Sequence, residues 1–305
     1  MADKPSRALV LYGDGLARFV SPTHTHLHSF ATRACCGFLA LPNSPPSENE
    51  DARIVREFSE LLDASEAYEN MVGREFVGDK SQEMHVVPTV PERFNGMKAA
   101  IITNNSSLSS LGSRLGLNVL HWNKLNLSLL ATELLKLLGF QEGKTLETNQ
   151  FDLIFVHVGA DEKINDLKDI EFITHLVGEL MHMAQPESDI GSRLHMSIIM
   201  SYGATLDDDN SIFVVSDAKL KINNELSLLF PRQSYTMKGG KPNKNIRHYS
   251  PMLVGQWQNA VTRKDMVEEF SFRDFIEHGG NLVIPADRFL HEVAFKLWKA
   301  PKYGA

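Results

Sequence analysis

The sequence predicts an α/β protein built around a mostly parallel sheet. Strand-length apolar runs alternate with segments of helical periodicity along the 305 residues, which is the pattern of parallel α/β construction. Several of these runs end in polar or glycine-containing turns, where such a sheet presents functional side chains. Apolar residues make up 43% of the chain, and the length fits one large domain or two smaller ones.

The first elements follow from apolar spacing. The run 8–12 predicts a buried strand, and residues 28–34 predict a short helix that leads into the apolar segment 36–41. Prolines then interrupt the chain before a helix predicted over 51–68, and the polar stretch 73–83 predicts a loop. The apolar residues that support the 51–68 helix recur at helical spacing: Ile54, Val55, Phe58, Leu61 and Leu62.

The same periodicities continue to the end of the chain. Strands are predicted at 98–103, 151–158, 195–203, 212–215 and 252–255. Helices are predicted at 125–138, 170–184, 272–277 and 287–298, and a basic, glycine-containing loop at 237–248. The turn 104–107 could bind an anion through free backbone N–H groups, but a simple helix N-cap is the favoured interpretation because every such helix needs one.

The net charge and the cysteines indicate which classes of partner and which cellular compartment to expect. The formal net charge of −7 argues against broad attraction to nucleic acid or to an anionic membrane, so neither is expected as a partner. Cys35 and Cys36 are adjacent and flanked by small apolar residues, which suits buried free thiols in a reducing compartment. The first apolar run is too short for a signal-peptide core, and no stretch is long enough to span a bilayer. We therefore predict a soluble cytoplasmic protein.

Asp14 is the strongest single candidate for a functional residue. It lies between Gly13 and Gly15 at the end of the first predicted strand, where an α/β protein presents a metal ligand to a cleft. One carboxylate cannot hold a metal ion alone, so other parts of the chain would have to supply further ligands.

Four segments, in order, resemble one family. They are 9–15 with 25–38, which includes the Asp14 turn and the helix after it, 91–102, 151–162, and 255–305. Together they are similar to the archaeal-type cofactor-independent phosphoglycerate mutases of the alkaline phosphatase superfamily. The resemblance implies a single alkaline-phosphatase-like domain over 1–305, a three-layer sandwich with a mostly parallel central sheet. It also implies a shortened connection at about 42–87 in place of the family's inserted domain.

The resemblance further implies a metal centre, of which few ligands remain. In that superfamily two divalent cations clamp a phosphoryl group while a serine or threonine attacks it. Asp14 and Asp161 match metal-binding aspartates of the family, and His248 could fill its last histidine position. Asn165 stands where a histidine is expected, and Ser201 and Tyr202 stand where an aspartate–histidine pair is expected. The cofactor, if any, would be zinc, manganese or magnesium.

No residue matches the family's nucleophile, so no catalytic residue is assigned; Ser44 and Ser47 lie in a proline-rich turn. The leading hypothesis is a catalytically degenerate protein that binds a protein partner or a phosphorylated small molecule. The alternatives are a divergent metal-dependent phosphatase or phosphomutase, and a subunit that is stable only in a protein complex.

Each of the other polar clusters has a structural or surface interpretation as well as a functional one. The basic loop offers four cations that could hold a phosphate or could simply be solvated: Lys238, Lys241, Lys244 and Arg247. The acidic run 207–210 could bind a hard cation, but a solvated turn is favoured. Two groups of side chains have metal-ligand spacing, and in both the favoured interpretation is structural or surface residues: His24, His26 and His28, and His175, Glu179 and His182.

Overall fold

The computed structural model describes residues 6–45, 48–76, 87–121, 127–159, 166–204, 237–238, 241–242, 246–247, 250–280 and 283–301. The strands are β1 (Arg7–Gly13), β2 (Cys35–Ala40), β3 (Ala99–Ile102), β4 (Asn118–Leu120), β5 (Phe140–Gln141), β6 (Lys144–Thr145), β7 (Leu153–Val158), β8 (Leu194–Met200), β9 (Met237–Lys238), β10 (Lys241–Pro242), β11 (Met252–Trp257) and β12 (Val283–Pro285). The helices are α1 (Thr25–Ala31), α2 (Glu50–Leu61), α3 (Ser65–Phe76), α4 (Val90–Arg93), α5 (Ser106–Arg114), α6 (Leu127–Leu137), α7 (Asp166–Met183), α8 (Asp189–Arg193), α9 (Phe272–His278) and α10 (Phe289–Lys296).

The central sheet is mostly parallel. Among the described residues eight strands form it, in the order β12-β2-β11-β8-β1-β7-β3-β4. β1 pairs in parallel with both β7 and β8, while β11 pairs antiparallel with β2 and β8. The α/β class and the parallel sheet predicted from the sequence are therefore confirmed.

Helices cover both faces of this sheet, because the side chains of a strand alternate between the two faces. Leu9 and Leu11 of β1 pack on one side with apolar residues of α1, α6 and α7. Val10 and Tyr12 pack on the other side with α2, α5 and α10. The result is a three-layer sandwich, and it brings α2 over the carboxyl end of β1.

The helix predicted over 51–68 is wrong in its extent. It is two helices, α2 and α3, because Asp63 adopts a left-handed conformation with φ 48° and turns the chain between them. The start of α2 is fixed by Asn49, whose side chain accepts a hydrogen bond from the Ala52 N–H at 2.8 Å. α3 continues to Phe76, so the predicted loop at 73–83 begins too early; its remaining residues lie outside the described ranges.

Most other predicted elements are present with shifted ends. α1 starts and ends three residues earlier than predicted, and α7 begins at Asp166 rather than Ile170. The last predicted helix is a 3₁₀ turn followed by α10. β9 and β10 form a short antiparallel pair within the predicted basic loop. The strand predicted at 212–215 lies outside the described residues.

The turn 104–107 has the structure of a helix N-cap. The Asn105 side chain accepts the Leu108 N–H at 2.9 Å, as the favoured interpretation requires. None of the helices in the described ranges is long and apolar enough to cross a bilayer.

Candidate functional site

Asp14 lies at the carboxyl end of β1, between its parallel neighbours β7 and β8. The backbone is tightly packed here: Asp14 donates its N–H to the Val158 carbonyl at 2.8 Å. Gly159, which follows β7, has φ 108° and sits directly against the Asp14 carbonyl, where a Cβ would clash. The fold thus places Asp14 where α/β sheets usually bind ligands, but the chain itself fills the adjacent space.

The Asp14 carboxylate is fully buried and bound by a guanidinium. Arg53 of α2 donates from Nη1 to Oδ1 at 2.9 Å and from Nη2 to Oδ2 at 2.7 Å. Ser201, just after β8, donates its hydroxyl to Oδ1 at 2.7 Å, and Tyr12 donates to the same oxygen at 3.2 Å. Three of these donors reach Oδ1 and one reaches Oδ2, so the carboxylate accepts four hydrogen bonds, two of them from Arg53.

Arg53 connects Asp14 to a larger network of buried charges. It also pairs with Glu57 at 2.9 Å and with the half-exposed Glu50 at 2.6 Å, both on its own helix. Glu57 in turn pairs with Arg247 at 3.2 Å. Glu50, Arg53 and Glu57 share one face of α2 because they are three and four residues apart. The positive and negative charges of this cluster therefore compensate each other inside the protein.

The pKa values of the buried groups reflect this pairing. Burial alone would raise the pKa of Asp14, but the charge and hydrogen bonds of Arg53, with His157 and Ser201, outweigh it and hold the pKa below its usual value. Burial raises the pKa of Glu57, and Arg53 and Arg247 oppose that rise. Asp14 is consequently ionised at neutral pH and is the counter-ion of Arg53.

His157, on β7, is the neutral member of the site. Burial lowers its pKa to about 4, although the charge of Asp14 acts in the opposite direction. The Thr103 hydroxyl accepts the Asn105 N–H at 3.0 Å and is hydrogen-bonded to His157 Nδ1 at 3.0 Å. His157 Nε2 has no hydrogen-bond partner among the described residues.

The groups around Asp14 do not fit the divalent cation that the resemblance implies. The Arg53 guanidinium already contacts both oxygens of the Asp14 carboxylate, and Ser201 contributes a hydroxyl where the resemblance implies a metal-binding pair. Within the described ranges, no three His, Cys, Asp or Glu side chains are grouped as a metal site requires.

The structure connects two of the predicted site residues. Asp14 and Arg247 belong to one charge network, joined through Arg53 and Glu57. Arg247 is 3% exposed and also donates to the Ser250 carbonyl at 2.9 Å. Its proposed phosphate contact stays a prediction.

The remaining predicted residues are described less completely. Lys238 and Lys241 are opposite each other in the β9–β10 pair, and nothing is described of their side chains. Several candidates lie outside the described residues, and their roles stay predictions: Ser47, Asp161, Asn165, the run 207–210, Lys244 and His248.

Sequence reasoning missed Arg53 and Glu57. Both are charged residues within an amphipathic helix, and such positions are normally solvated. The sequence feature that could have indicated their burial is that each directly precedes an apolar residue of the buried helix face. Arg53 precedes Ile54 and Glu57 precedes Phe58, and all four side chains are buried.

Comparison with known proteins supports the fold. No protein-family model matches the sequence, and no curated protein is similar to it. The solved structure of the PH0037 protein from Pyrococcus horikoshii is similar with a TM-score of 0.57 and 12% identity, covering 99% of each chain. Cofactor-independent phosphoglycerate mutase from Thermoplasma acidophilum is similar with a TM-score of 0.51 and 10% identity, over 94% of this chain and 98% of that one. The chain has the fold of this mutase.

The alkaline phosphatase-like three-layer sandwich that the sequence resemblance implied is thereby confirmed. At 10–12% identity the likeness concerns the fold alone. Function has to be argued from the residues at Asp14.

Proposed function

We propose that this chain is a catalytically degenerate alkaline phosphatase-like protein that acts by binding. Its partner is a protein or a phosphorylated small molecule, and metal-dependent phosphoryl transfer is not its activity. The single observation that carries the proposal is the bidentate pair between Arg53 and Asp14.

A guanidinium and a divalent cation compete for the same carboxylate oxygens. For a metal ion to bind Asp14, Arg53 would have to give up both hydrogen bonds while it is still buried. Separating a buried, hydrogen-bonded ion pair is costly because one charge loses its compensation in a medium of low polarity. Arg53 thus does permanently what a cation would do in a metal enzyme, which is to neutralise Asp14.

The proposal is tested by phosphoesterase assays with zinc, manganese or magnesium on the full chain. The substrates are p-nitrophenyl phosphate and 3-phosphoglycerate, and Asp14→Asn is the control variant. We expect no turnover above the level of this control with any of the metals. Metal-dependent turnover that is lost in Asp14→Asn would instead support the alternative of a divergent phosphatase or phosphomutase.

A further inference from the structure

The packing of α1 against α7 brings together one histidine from each of the two histidine groups in the sequence. Directly before α1, His24 accepts the Ser21 N–H at 2.9 Å. His28 donates to the Ser21 carbonyl at 2.9 Å and accepts the Phe270 N–H at 3.0 Å. His24 and His28 are therefore structural, and His26 faces α7 instead.

The His26 side chain packs against α7 at a glycine. Its ring lies over Gly178, where a Cβ would come within 2.9 Å of the ring atoms Cγ and Cδ2. His175 is one turn before Gly178, and the centroids of the His26 and His175 rings are 6.1 Å apart, with the ring planes at 59°. Both histidines are exposed, and neither ring is hydrogen-bonded to another described residue.

Two neighbouring imidazoles with free nitrogens suit a late first-row divalent metal. Imidazole is a preferred ligand of zinc, copper and nickel. With zinc–nitrogen distances of about 2.0–2.1 Å, two rings that share one ion have centroids about 5–6 Å apart. The observed centroid separation of 6.1 Å is close to this range.

We propose that His26 and His175 form a surface zinc site that bridges α1 and α7. Solvent completes the coordination, since no third His, Cys, Asp or Glu is suitably placed in the described part of the chain. Glu179, one turn after His175, is held by the Ser128 hydroxyl at 3.1 Å. The site shares no residue with the Asp14 network, so it does not depend on the proposed function.

A zinc titration of the tag-free full chain by calorimetry tests the site. We expect one zinc per chain, and binding weakened at least about ten-fold in both His26→Gln and His175→Gln, as the loss of a metal-site interaction commonly does. His182→Gln is the matched control, because His182 is an exposed histidine on the same helix. Zinc should also raise the melting temperature of the wild type but not of His26→Gln, because a ligand that binds the folded state stabilises it.

The proposal is overturned if the wild type binds no zinc, or if its binding is unchanged in both His26→Gln and His175→Gln. It is also overturned if zinc binding is lost in His182→Gln. Zinc binding that is lost in Asp14→Asn and retained in His26→Gln would overturn it too, and would place the ion at Asp14. That result would also contradict the proposed function, because the proposed function requires that Asp14 bind no metal ion. Circular dichroism of each variant confirms that it is folded.

Discussion

Arg53 and Asp14 are 39 residues apart in the sequence and are joined by two hydrogen bonds between a buried guanidinium and a buried carboxylate. Asp14 directly follows the central strand β1, and Arg53 lies on α2, which covers that end of the sheet. Asp14 lies where this kind of fold usually binds ligands, but its pairing with Arg53 gives it a structural role.

The first prediction concerns the stability that depends on Asp14. Asp14→Asn should lower the free energy of unfolding by about 3 kcal/mol, the low end of the range for breaking a buried ion pair, because Arg53 keeps its contact with Glu57. Chemical denaturation measures the change. The control is Arg273→Ala, which removes an exposed pair with Glu277 and should cost no more than about 1 kcal/mol. Equal effects in the two variants would contradict the prediction.

The second prediction is that Asp14 and Arg53 are energetically coupled. Arg53→Met should destabilise the protein because it leaves the Asp14 and Glu57 carboxylates without their shared cation. Arg53→Met combined with Asp14→Asn should cost about 1–3 kcal/mol less than the sum of the single variants, since the double variant no longer buries the unpaired Asp14 charge. A double-mutant cycle measures this coupling, and simple additivity would refute it.

The third prediction is a pH dependence due to His157. Its pKa is about 4 in the folded protein and 6.5 in the unfolded chain, so between these values the unfolded chain binds the extra proton. The free energy of unfolding should therefore fall by about 3 kcal/mol from this group as pH drops from 6.5 to 4.

His157→Gln should remove that part of the pH dependence, measured by denaturation at a series of pH values. Glu57, with its raised pKa, contributes a slope of opposite sign that is common to wild type and variant, and cancels in the comparison. The Asp14 contribution is lost only as pH falls below 3.8, outside the window, because its folded pKa is lowered. The same pH profile in both proteins would count against a neutral, buried His157.

The fourth prediction concerns the backbone that fills the space beside Asp14. Gly159→Ala should destabilise the protein by more than about 2 kcal/mol, because the new Cβ meets the Asp14 carbonyl in addition to the strain of a positive φ. Gly143→Ala is the control: φ is 77° there, and no described atom lies within 4 Å of the Cβ position, so about 1 kcal/mol of strain is expected. Thermal unfolding compares the two, and a Gly143 variant at least as unstable as the Gly159 variant would rule out the close contact.

Local sequence patterns accounted for the sheet but not for the partner of Asp14. The alternation of apolar runs and the glycines around Asp14 are local features, and they correctly placed this residue at the end of a buried strand. The Arg53 contact is not local: it depends on the packing of α2 over the carboxyl end of β1, 39 residues earlier in the chain. The single helix predicted over 51–68 also missed the chain reversal at Asp63. An analysis of helical periodicity also assigns an arginine to the solvent-exposed face of a helix. Arg53 is buried instead, and it is paired with three acidic residues.

The most direct test of the central claim is a crystal structure determined after soaking in manganese, with anomalous difference maps to locate the ions. We expect the Arg53 guanidinium to remain on both Asp14 oxygens, with no anomalous peak in contact with them. A manganese ion bound to Asp14, with Arg53 displaced, would contradict the account and would restore the expectation of a metal-dependent phosphoryl-transfer enzyme.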